Sequence, residues 1–184
     1  MNKLFIASVA AFIGAALSVE YLYEWCLGLD VYNDAYWLGV FLIAASALAN
    51  VVYWYGLSIV GTKYHNAMLH MMALLALVLS ILSDASNAIF TLLPQYAASP
   101  AWDTFNFFMG TLFAIAFMLT GLAVQRMRPQ FGDIALWYGI GAMLSGVLAL
   151  IGDTGISYIG MFGVALNAIL YVLGGMILYR AAKK

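Results

Sequence analysis

Charge is what this chain has least of. Only 8% of its 184 residues are charged, against about 25% in an ordinary soluble domain. So few charges cannot cover a water-facing surface. A fold whose outer solvent is lipid has no such need, since its outward positions should be apolar. Cysteine is scarcer still. Cys26 stands alone, which excludes an internal disulfide and any multi-thiolate metal site. Histidine occurs only at His65 and His70. Five residues apart on a helix, the two rings point about 140° away from each other and cannot share a metal ion. Haem held between two spans would need a histidine on another span, and there is none. There is no basic patch of the kind that binds nucleic acid.

Catalytic motifs are missing too. Intramembrane aspartyl proteases carry Gly-x-Gly-Asp. Here Leu150, Ile151, Gly152 and Asp153 lack the first glycine, and Asp84 follows Ser83 where the partner motif has tyrosine. Intramembrane serine proteases carry Gly-x-Ser-Gly, and Met143, Leu144, Ser145 and Gly146 again lack the first glycine. No HExxH and no nucleotide loop occurs.

What is present is apolar sequence, 66% of the chain. Spanning a bilayer takes about 20 such residues. Six runs qualify, at about 4–28, 36–60, 66–93, 104–125, 134–152 and 157–179. The prediction is an all-α, six-transmembrane-helix bundle forming a single transmembrane domain over 1–184. The turn-formers and most charges fall in the short connections. The first run resembles a signal peptide but reads as a retained span. It is longer than a signal-peptide core, and residues 20–24 form a poor cleavage region.

Orientation follows from the bases. In a six-span reading, Lys3, Lys63, Arg126, Arg128, Arg180, Lys183 and Lys184 all fall on one side. The opposite connections carry Asp30, Asp34, Asp103 and Asp153 and no base. The positive-inside rule puts the basic side, with both termini, in the cytoplasm of a cell (inner) membrane. Tyr36, Trp37, Tyr53, Trp54, Tyr55, Trp102 and Trp137, with Tyr21, Tyr23 and Trp25, read as interfacial belts. Spans 2–3 and 4–5 also share an early glycine (Gly39, Gly110) and a late aspartate (Asp84, Asp153) at similar spacing. Their other residues agree only in hydrophobicity, which any two membrane hairpins share.

The third span carries the sharpest polar pattern. Asn66, His70, Ala73, Leu77, Ser80, Asp84, Asn87 and Thr91 recur at four-three spacing and share one face. A polar face avoids lipid, so it should line the interior, either as packing contacts or as a ligand-lining wall. In the first span, Glu20 and Glu24 share a face. Glu20 is roughly 24 Å along its helix from Leu4, and Asp84 about 27 Å along its own from Asn66. An acidic cluster of Glu20, Glu24 and Asp84, rimmed by Asp153, is therefore expected near the outer surface. Glu20 and Asp84 are expected within one side-chain layer of each other. With no base at that depth, such carboxylates need a proton, a cation or outside water. The candidate site is Glu20, Glu24, Asp84, Asn87, Ser80, Asp153 and His70.

Small-residue stripes read as helix contacts: Gly139, Ala142, Gly146 and Ala149; Gly160, Gly163, Asn167 and Gly174; Ala11, Gly14 and Ser18. Asn50 and Asn167 read as donors of interhelical hydrogen bonds. Three functions compete. The first is a non-catalytic subunit or scaffold, with the bilayer and other membrane subunits or further copies as partners. The second is a proton- or cation-coupled small transporter or channel using the outer carboxylates. The third, an intramembrane enzyme, is disfavoured by the missing motifs. The sequence signals no cofactor.

Overall fold

The structure, a computed structural model, describes residues 2–27, 36–92, 100–152 and 157–184. Those residues form seven helices and no strand: α1 (Lys3–Leu27), α2 (Tyr36–Lys63), α3 (Ala67–Leu92), α4 (Pro100–Gln125), α5 (Arg128–Phe131), α6 (Asp133–Gly152) and α7 (Ser157–Lys183). Six of them are long and apolar enough to cross a membrane. This is a multi-pass membrane protein. The helices outrun the apolar segments: α2 continues to Lys63, α7 to Lys183, and α4 begins at Pro100. The short α5 sits inside what reads in the sequence as a plain connection.

Each long helix packs on its neighbours in sequence, α7 closes on α1, and α2 also touches α7 across the ring. Cross-links tie one end of this ring together. Asn2 donates to the Ala182 carbonyl at 2.9 Å, Lys63 to Ala181 at 2.8 Å and Asn66 to Ala123 at 2.8 Å. Arg180 and Lys184 donate to the Phe131 and Gln130 carbonyls, both at 3.0 Å. The start of α1, the ends of α2, α4 and α7, and the start of α3 therefore meet. All seven lysines and arginines sit in the terminal turns or connections at this end. Here Asp133 pairs with Arg128 at 2.8 Å, both side chains being exposed.

Local signals set the turn between α2 and α3. His65 takes a left-handed backbone (φ 55), and the Asn66 N–H reaches back to the Gly61 carbonyl at 2.8 Å. Together these close the last turn of α2. Asn66 then caps α3, its Oδ1 accepting the Leu69 N–H at 3.0 Å.

The interior near the basic end is tightly packed. Leu57, Val60, Leu69, Ala73, Ala76, Val124, Phe131 and Leu178 are all buried. Small residues make this possible, as the stripes predict. A side chain at Gly146 would meet the Ala114 carbonyl oxygen at 2.7 Å, and one at Gly139 the Gly121 carbonyl at 2.7 Å. Gly163 departs from the pattern, with nothing within 4 Å of where a Cβ would stand. Two belt residues are misassigned by the sequence: Tyr53 and Trp54 are each only 2% exposed and form the centre of the core. Trp37 and Trp137 do lie outside, 80% and 61% exposed.

Candidate functional site

Asp84 stands in the final third of α3 and lines a cavity of about 390 Å³. Asn50 of α2, Ser80 and Ser83 of α3, and Asn106, Gly110 and Phe113 of α4 line it with Asp84. Gly110 helps open the space, since nothing lies within 4 Å of a Cβ placed there. No lysine, arginine or histidine borders the cavity. One carboxyl oxygen, Asp84 Oδ2, is enclosed and has no hydrogen-bond partner among the described residues.

A polar relay leads away from Asp84. The Tyr171 hydroxyl on α7 donates to Asn50 Oδ1. That bond fixes the amide's orientation and leaves its Nδ2 to donate towards Asp84, which lies alongside. The Tyr171 ring reaches this position by passing over Gly14, where a Cβ would stand 3.0 Å from the ring.

Glu20 lines a second cavity, of about 240 Å³, together with Ser18, Ser46, Asn167 and Tyr171. Glu20 and Asp84 thus line separate cavities, with the Tyr171–Asn50 pair bordering both. A third, smaller void of about 50 Å³ lies against Tyr53, Trp54, Phe113, Phe117 and Tyr171. It shares Phe113 with the Asp84 cavity and Asn167 and Tyr171 with the Glu20 cavity. Beneath it, Tyr53 and Tyr138 hydroxyls meet at 2.8 Å in the buried centre.

The other candidate residues separate by depth. Ser80 is buried beside Asp84, its hydroxyl donating back to the Leu77 carbonyl at 2.9 Å. His70 lies about 21 Å down the same helix. Its Nδ1 lies 3.1 Å from both the Ser58 and Thr62 hydroxyls, which ties α3 to α2. Between His70 and Asp84 the face is filled by buried Ala73, by Leu77 packed on the core, and by Ser80. The side chains of Glu24 and Asn87, and the whole of Asp153, lie outside the described residues.

Sequence reasoning did not assign Asn50, Ser83, Asn106 and Tyr171 to this site. A lone asparagine in the apolar α2 is the one available signal. Asn50 and Asn167 do bridge helices: Asn50 both accepts from Tyr171 and donates towards Asp84, whereas Asn167 acts as an acceptor, its Oδ1 taking the Ser145 hydroxyl at 2.8 Å. Among the described residues no three histidine, cysteine or acidic side chains converge as a metal site would require.

Chemically, the arrangement offers one carboxylate, two amides and two hydroxyls around an open volume, beside aromatic rings. A carboxylate in such a place is costly to leave uncompensated. Comparison with protein-family models, with curated proteins and with solved structures returns no match to this chain.

Proposed function

We propose that this protein is a cation-binding membrane carrier whose binding site is the Asp84 cavity. The observation that carries the reading is the enclosed, unpartnered Asp84 oxygen facing about 390 Å³ of space that no basic side chain borders. Interhelical packing contacts in membranes are well served by serine and asparagine, and an aspartate is an expensive choice for that purpose. The cavities lie towards the end of the bundle opposite the lysines and arginines. On the positive-inside rule that end faces outward from a cell (inner) membrane, and both termini are cytoplasmic. The packed residues between Asp84 and His70 then close the inner side of an outward-facing state.

The same packed block is what favours a second reading, a non-catalytic subunit of a membrane assembly or a self-associating scaffold. Such a protein needs no path through its centre. Cation flux into proteoliposomes separates the two. A carrier moves a cation, and Asp84→Asn abolishes the movement while the purified variant stays monodisperse. A wild-type protein inert to protons, alkali cations and organic cations alike supports the subunit reading instead.

A further inference from the structure

The void that shares Phe113 with the Asp84 cavity has unusual walls. Tyr53 and Tyr171 rings stand 4.9 Å apart, Tyr53 and Trp54 5.1 Å, Trp54 and Phe117 5.5 Å, and Trp54 and Phe113 6.0 Å. These five packed aromatics, with Asn167 and Leu170, line a space of about 50 Å³. That is room for one small group, given that a single water needs roughly 10–15 Å³ on the same measure. Aromatic faces carry negative charge density and attract a cation placed over them, most strongly where water is excluded.

Metal ions suit this place poorly. Sodium-like and divalent ions want several oxygens at close range. The residues of the cage bring one amide and two tyrosine hydroxyls, all already engaged: Asn167 Oδ1 with Ser145, Tyr53 with Tyr138 and Tyr171 with Asn50. A poorly hydrated ammonium group, with its charge spread over methyl or methylene groups, suits it well. Such a group needs ring faces around its head and one carboxylate nearby for its net charge. Phe113 is a shared wall between the cage and the Asp84 cavity, so both are at hand.

We infer that the carrier's substrate is a small organic ammonium ion, its head held in the Tyr53–Trp54–Phe113–Phe117–Tyr171 cage and its charge answered by Asp84. This rests on the cation-carrier reading above and narrows it to one chemical class. The alternatives are an inorganic cation bound in the Asp84 cavity alone, and a neutral apolar guest in the cage.

Isothermal titration of the purified full-length protein tests it, with three probes. These are choline chloride, its neutral carbon isostere 3,3-dimethylbutan-1-ol, and sodium chloride. Choline is expected to bind about tenfold or more tighter than the isostere, the size of a desolvated cation–π contribution. Phe113→Leu keeps an apolar wall but removes a ring face, and should erase most of that preference. Asp84→Asn should lose choline binding. Equal binding of choline and the isostere overturns the inference, and that comparison needs no variant to fold. Phe117→Leu repeats the ring test on a second wall. Sodium binding that requires Asp84, with no response to choline, overturns the ammonium assignment and leaves the carrier reading intact. Binding of every cation unchanged in Asp84→Asn overturns both.

Discussion

Single residues in this bundle are held by few, well-defined contacts. Tyr53 and Tyr138 are each other's hydroxyl partners at 2.8 Å in the buried centre. Tyr53→Phe should cost about 1–3 kcal/mol by stranding the Tyr138 hydroxyl. The double variant with Tyr138→Phe should cost less than the sum of the two single changes, since both remove the same bond. Unfolding in mixed micelles measures this, and strict additivity would show that the pair does not interact. The glycines make a second contrast. Gly146→Ala places a methyl 2.7 Å from the Ala114 carbonyl oxygen, an overpacking expected to cost about 1–3 kcal/mol. Gly163→Ala meets nothing within 4 Å and should leave stability unchanged or raise it by up to about 1 kcal/mol, alanine being the better helix former. At this scale, the sequence marks Asp84 through the cost of placing an acid in an apolar helix. It does not reveal Tyr171 or Asn50 as neighbours of the acids. One looks like any aromatic in a membrane span and the other like ordinary packing, and only the contact of α2 with α7 across the ring joins them.

Elements were more legible than residues. The six apolar runs become six long helices because lipid-spanning backbone must satisfy its own hydrogen bonds. Boundaries slip where polar residues continue a helix past its apolar run, as at Lys63 and Arg180. The four-residue α5 carries no apolar run of its own and was invisible. Tyr53 and Trp54 fall two turns or more inside α2, and no belt rule can tell a buried aromatic from an interfacial one by sequence position. The hairpin between α2 and α3 supplies a test at this scale. Asn66 both caps α3 through Leu69 and donates to Ala123 on α4. Asn66→Ser keeps a cap and loses the long reach, whereas Asn66→Ala loses both. The alanine variant should be the less stable of the two, and below wild type by about 0.5–2 kcal/mol from the cap alone. Equal stability of the three proteins would mean that the turn is held by His65 and the Gly61 carbonyl without help.

On the scale of the whole molecule, the bundle is polarised. One end is cross-linked, basic and densely packed; towards the other lie the cavities and the carboxylates Glu20 and Asp84. The orientation in the membrane can be read by labelling in intact cells, on a Cys26→Ser background. Tyr32→Cys and Ser99→Cys should react with an impermeant thiol reagent, and Lys63→Cys and Arg128→Cys should not. Labelling at position 63 would invert the assignment and turn the cavities towards the cytoplasm. Sequence charge alone gave this polarity, because every base lies at a helix end or in a connection. It could not give the separation of Glu20 from Asp84 into two cavities, since depth along a helix says nothing about position around the ring. Cation binding at Asp84 comes before any transport, and charge displacement in proteoliposomes on a supported membrane tests that step directly. Rapid jumps in sodium, potassium or choline chloride should give a transient current with wild type for at least one cation, and none with Asp84→Asn. No current with any cation in the wild type, or equal currents in both proteins, would contradict it.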